Sequence, residues 1–151
     1  MKKAKFSQEQ ILEIFDRLSF FKNFNIVERL AIINSHADFY CFDEKEYIIH
    51  EGSEGDDFFI LLHGKIGIMK GVDEIPVNIK AGDFFGEISF LTGAPRTTNI
   101  VARTKTFVIR INRKIMAELD AGIRDKIKDK FIHILVDRLD AMNEELVRLS
   151  Y

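Results

Sequence analysis

The apolar residues of this chain change their period twice, and the two changes bracket its middle. Up to residue 38 they recur at helical spacing. Ile11, Ile14, Phe15 and Leu18 fall on one face, and Leu30, Ile33 and Ala37 continue a second. From Phe39 to Asn112 they gather in short runs: Phe39–Phe42, Tyr47–His50, Phe58–Leu62, Lys65–Lys70, Ile75–Lys80, Asn99–Arg103 and Thr106–Asn112. Gly, Asp, Asn or Pro separates most of these runs, which is the punctuation of an antiparallel sandwich or roll. After residue 112 the helical period returns. The predicted class is α+β: an antiparallel β-roll, jelly-roll-like, flanked by N-terminal helices and one long C-terminal helix.

Local signals sharpen the boundaries. Ser7 with Gln10 predicts a capping box and Phe6 with Ile11 a hydrophobic staple, so a helix starts there. Asn25 with Glu28 predicts a second start, after an apolar knot of Phe20, Phe21 and Phe24 read as core. Gly71–Glu74 predicts a hairpin connection. Asn112 is the expected cap of a short helix through Leu119, with Gly122 as its stop. Ile123, Ile127, Phe131, Ile134, Leu135, Leu139, Met142, Leu146 and Leu149 then form one apolar stripe along a helix of some seven turns. The 151 residues fit a single domain, 1–151, divided as 1–38, 39–112 and 113–151.

Charge and cysteine usage exclude several classes. A net charge of −2 with interspersed signs gives no clustered basic patch for nucleic acid. No apolar run is long enough to span a bilayer, and no secretory signal follows Lys2, Lys3 and Lys5. The single cysteine, Cys41, has no internal partner and fits a reducing compartment, so the expected location is cytoplasmic. His36, His50, His63 and His133 are scattered, so neither a metal site nor a cupin-like metal enzyme is expected. Ser89 does not sit in a nucleophile elbow, so no catalysis is expected.

The stretch Ala81–Ala102 carries the functional signal. Gly86 frees the backbone for close approach to a ligand. The N–H groups of Glu87, Ile88 and Ser89 open a short helical turn and point at an anion. Arg96 adds a two-pronged, charge-assisted grip and is expected to face ligand and not core. Glu87 repels a phosphate and must accept a hydrogen bond, for which a sugar hydroxyl is the natural donor. Together these groups point to a phosphorylated sugar with a free hydroxyl. The plainer alternative is a tight turn closed by a surface Glu87–Arg96 ion pair.

The same residues resemble the phosphate-binding cassette of cyclic nucleotide-binding domains, a family that includes the regulatory subunit of cyclic-AMP-dependent kinase and the bacterial catabolite activator protein. The family pattern is met by Phe85, Gly86, Glu87, Ile88, Ser89, Pro95, Arg96, Thr97 and Thr98, within a cassette spanning 85–98. The run Glu51 to Ile60, ending at Leu62-His63-Gly64, resembles the family's glycine-aspartate turn and the strand after it. Its backbone near Gly64 and Ile66 is a further candidate for the pocket lining.

The resemblance implies non-covalent binding of cyclic AMP, with cyclic GMP as the alternative. Arg96 and the backbone of Ile88 and Ser89 would hold the cyclic phosphate, and Glu87 the ribose 2′-hydroxyl. Thr97 would lie beside the phosphate or base. Met142 and Asn143 fall where a related helix contacts the base. The C-terminal helix would act as a lid or pair protomers, leaving a monomer or a homodimer. With no output domain after that helix, an effector protein is expected as partner. A ligand-independent interaction module using the helix is the other functional class.

Overall fold

The computed structural model describes residues 1–150, so the expected C-terminal limit at residue 151 lies outside the described residues. Two antiparallel sheets form the roll and are not closed into a barrel. One sheet runs β1 (Lys2–Lys3), β2 (Asp38–Phe42), β9 (Thr106–Asn112), β4 (Asp57–His63), β7 (Phe84–Phe85). The other runs β3 (Tyr47–Ile49), β8 (Asn99–Ala102), β5 (Ile66–Lys70), β6 (Asp73–Ile75).

Alternation along the larger sheet explains the layering. Phe59, Leu61 and Val108 point into the roll, against Ile49, Ile100 and Ala102 of the smaller sheet. Phe58, Ile60, Leu62, Ile109 and Ile111 point the other way, against the helices. The central strands are therefore apolar on both faces, and the sheet forms a middle layer between roll interior and helical bundle.

The predicted capping box at Ser7 closes, and another closes at the second predicted start. Ser7 Oγ accepts from the Gln10 amide at 3.1 Å and Gln10 Oε1 from the Ser7 amide at 2.9 Å, starting α1 (Gln8–Arg17). Asn25 and Glu28 do the same at 2.9 and 3.0 Å for α2 (Ile26–Ile33). Phe6 packs edge-on against Phe39 and Phe107, tying the chain start to β2 and β9. Asn112 Oδ1 accepts from the Ile115 amide at 2.9 Å and caps α4 (Arg113–Glu118).

Four local expectations change. The run Ile75–Lys80 is not a strand. The strand lies earlier, at Asp73–Ile75, and ends where Pro76 removes an N–H donor. The hairpin connection shrinks to Gly71-Val72, with Gly71 at φ 62°. The pairs Lys2–Lys3 and Phe84–Phe85 are strands too short to show a period. Gly122 lies in the first turn of α5 (Ala121–Ser150), and α4 ends at Leu119 without it.

At 1.5 Å per residue, the 30 residues of α5 extend about 45 Å. The expected apolar stripe divides along it. Ile123, Ile127, Phe131 and Ile134 are buried against the sheet and the aromatic cluster, whereas Leu139, Met142, Leu146 and Leu149 are exposed. No helix among the described residues is long and apolar enough to cross a membrane.

Candidate functional site

The connection from β7 to β8 builds one wall of a cleft. Gly86 takes the left-handed conformation, φ 74°, and hands the chain to α3 (Glu87–Thr92), which Gly93 ends in the same conformation. A side chain at residue 86 would meet Ile49 Cδ1 at 2.9 Å besides straining that backbone, so glycine is required there. Ser89 is buried beneath the helix start, and Ile88 stays partly exposed above it.

Gly86, Glu87, Ile88, Ser89, Arg96, Thr97 and Thr98 all line this cleft, which holds about 160 Å³ of free space. Ile49, Ile68, Ile75, Val77, Ile79 and Ile100 complete the lining. The lining thus combines a cation, hydroxyls and a helix start with aliphatic side chains. The arrangement suits a small anion ester carrying an apolar ring. Gly64 and Ile66 are absent from the lining. Gly64 lies against Lys105 and Thr106 instead.

Arg96 departs from its expected setting. Its side chain is only 6% exposed and already has acceptors: Gly86 O at 2.7 Å, Asp57 O at 3.0 Å and the Asp57 carboxylate. The guanidinium is therefore held in place by the chain itself, an orientation that otherwise costs side-chain entropy. Gly55 makes room for it. A Cβ at residue 55 would come within 2.5 Å of Arg96 Nη2. Gly55→Ala is expected to displace the guanidinium from Asp57 and cost about 1–2 kcal/mol. Thermal denaturation should register this as a fall of about 2–8 °C. An unchanged melting temperature would mean that Arg96 is not packed over this glycine.

Glu87 does not pair with Arg96. Only 1% exposed, its carboxylate receives Arg138 Nη1 from α5, while Arg138 Nη2 donates to Phe84 O at 2.8 Å. Burial raises the Glu87 pKa above its ordinary 4.5, against the charge of Arg138, the Glu87 amide and, last, the charge of Arg96. Arg138 also lines the cleft. The sequence held one sign of it. Position 138 follows Ile134 by four residues, so a charged side chain continues the buried face of α5.

Met142 and Asn143 do not join the cleft. Met142 lines a separate groove with Ile75, Pro76, Val77 and Leu146, and Asn143 is exposed on α5. Elsewhere α3 meets the helices through Phe90. Arg113 at the start of α4 donates to Phe90 O and lies over the Phe90 ring, and Phe90 stands 5.8 Å from Phe131 of α5.

A family description, the cyclic nucleotide-binding domain, matches residues 41–121 and so takes in β3 to β9 and the cleft wall they build. The chain belongs to the cyclic nucleotide-binding domain family. It is 37% identical over 106 residues to a cAMP-dependent protein kinase regulatory subunit of Emericella nidulans, covering 70% of this chain and 25% of that protein. To the cGMP-dependent protein kinase egl-4 of Caenorhabditis elegans it is 28% identical, over 80% of this chain and 16% of that one. It therefore spans a quarter or less of these two relatives. Among solved structures, one described as Sp-2Cl-cAMPS bound to PKAR CBD2 superposes with a TM-score of 0.71 at 28% identity, covering 91% of this chain and 90% of that one. Cyclic nucleotide-binding domains are regulatory modules, and the cleft described above lies within the matched region apart from Arg138.

Proposed function

We propose that this chain is a sensor of a cyclic mononucleotide, with cyclic AMP as first ligand and cyclic GMP as the alternative. The carrying observation is the mixed cleft, which Arg96 and the start of α3 line together with aliphatic side chains. Arg96 and the amides of Ile88 and Ser89 receive the cyclic phosphate, and Gly86 permits the approach. Glu87, with acceptor capacity left beside Arg138, takes the ribose 2′-hydroxyl, and Thr97 and Thr98 border the phosphate and base. The role is binding rather than catalysis, in the cytoplasm. The similarity to a regulatory subunit and to a cAMP-analogue complex supports cyclic AMP as first ligand.

Calorimetry with cyclic AMP, cyclic GMP and linear 5′-AMP tests this. One cyclic nucleotide should bind at least tenfold more tightly than the linear monophosphate. Equal or absent binding of all three would overturn it.

Output is assigned to α5, which carries Arg138 on Glu87 and so reports on the cassette. Its distal half also favours a second copy over an unrelated effector. Ile132, Val136, Leu139 and Leu146 are exposed at coiled-coil spacing, with Asn143 at the intervening inner position where a polar residue fixes register. This face lies away from the buried one. Sedimentation should give twice the monomer mass for the parent and the monomer mass for Leu139→Asp. A parent that stays monomeric at every concentration would return α5 to an effector-docking or lid role.

A further inference from the structure

We propose that Arg110 is a positioning residue for the anion site, acting on Arg96 through Asp57; the proposal rests on the assignment of Arg96 to the ligand phosphate. Charges alternate in a row from the cleft to the first strand. Arg96 pairs with one oxygen of the Asp57 carboxylate, and the other lies 3.7 Å from Arg110 Nε. Arg110 Nη2 donates to Asp38 Oδ2 at 3.2 Å, and Asp38 Oδ1 lies 3.2 Å from Lys3 Nζ. The Tyr40 hydroxyl also donates to Asp38, at 3.3 Å, and its ring lies under the Arg110 guanidinium at 5.1 Å.

Strand register makes this row. Arg110 on β9 stands directly across from Asp38 on β2 and from Phe59 on β4. Asp57, two residues before Phe59, shares its face and lies diagonally across. Lys3 on β1 stands across from Tyr40, next to Asp38 on that face. Arg110 therefore sits at the only strand between the two aspartates.

The consequence is a competition. An anion entering the cleft draws on the same positive charge that Asp57 already holds. A carboxylate answered by Arg96 alone resists that exchange with its whole charge. Arg110 shares the charge of Asp57 and loosens its hold on Arg96 without releasing the guanidinium. Asp38 draws Arg110 in the opposite direction. Successive neutralisations along the row must then change ligand affinity with alternating sign.

The test uses the full chain and cyclic AMP. Arg110→Gln should weaken binding about three- to fivefold, the weight of one partly exposed charge contact. Arg110→Lys should recover part of the loss, and Asp38→Asn should tighten binding by about twofold. In the Arg110→Gln background, Asp38→Asn should have no effect, because its path is gone. An equal Asp38→Asn effect in both backgrounds would mean a direct field and overturn the relay.

A ligand-free readout separates this from the functional assignment. Solvent exchange of the Arg96 guanidinium protons, followed by NMR, should slow in Arg110→Gln as Asp57 holds harder. Unchanged exchange overturns the relay even if cyclic AMP binds. Slowed exchange in a protein that binds neither cyclic nucleotide would leave the relay standing and remove the assigned function. If Arg110→Gln does not fold, Arg110→Lys and Asp38→Asn give the same two signs.

Discussion

Arg96→Lys is expected to lower the affinity for cyclic AMP by about a hundredfold or more, which is two charge-assisted hydrogen bonds lost or misdirected at about 1.5–3 kcal/mol each. An ammonium keeps the charge but not the planar fork, and it cannot reach Gly86 O, Asp57 and a phosphate together. The substitution should also lower stability, since the Arg96 side chain is buried with its partners. Arg96→Ala is the harsher variant, because it leaves the Asp57 carboxylate with Arg110 alone at 3.7 Å. Affinity and melting temperature should therefore be measured on the same samples. Arg96→Lys binding within threefold of the parent would show that this guanidinium does not hold the phosphate.

Arg138→Ala is expected to destabilise the protein by about 3 kcal/mol, the low end for removing one partner of a buried pair because Arg138 is itself partly exposed. That corresponds to a fall in melting temperature of roughly 6–12 °C. The reason is Glu87, whose buried carboxylate would be left with its own amide and the distant charge of Arg96. Pairing Arg138→Ala with Glu87→Gln should recover much of the loss, since the two changes act on one contact.

The pH dependence carries a definite sign. The Glu87 pKa in the folded protein is raised above 4.5 by burial. Its contribution to stability is thus fully present below 4.5 and is lost as pH rises through the raised value. Without Arg138 the rise in pKa grows. The deficit of Arg138→Ala should be largest at neutral pH and shrink as the pH falls toward 4.5. A deficit constant over that range would contradict the assignment of Arg138 to a charged Glu87.

The cassette was legible in the sequence because its constraints are local. A left-handed turn needs Gly86, and the short helix that follows fixes where Glu87, Ile88 and Ser89 stand. The helix starts at Ser7 and Asn25 were legible for the same reason. What stayed hidden depends on partners distant in sequence. Asp57 lies 39 residues from Arg96, and Arg138 lies 51 residues from Glu87. The period of α5 turns position 138 inward but does not name Glu87 as its partner, and the Asp57 pairing leaves no periodic trace. The irregular segment after Ile75 was misread because Val77 and Ile79 alternate like a strand, although Pro76 cannot donate to a ladder. Met142 shares the apolar period of α5, yet at that turn the helix borders Ile75–Val77 and not the cassette, and spacing alone does not record which part of the roll a helix faces.

The central claim is that a cyclic nucleotide sits against the start of α3 with its phosphate on Arg96. NMR titration with cyclic AMP tests it most directly, by following the backbone amides of Gly86 to Ser89 and the Arg96 Nε–H signal. The account predicts that these signals shift together and saturate at one equivalent, with those of Thr97 and Thr98 moving alongside, while the exposed end of α5 beyond Leu146 responds less. Saturable binding that leaves the Arg96 and Ser89 signals in place would locate the ligand elsewhere and contradict the account.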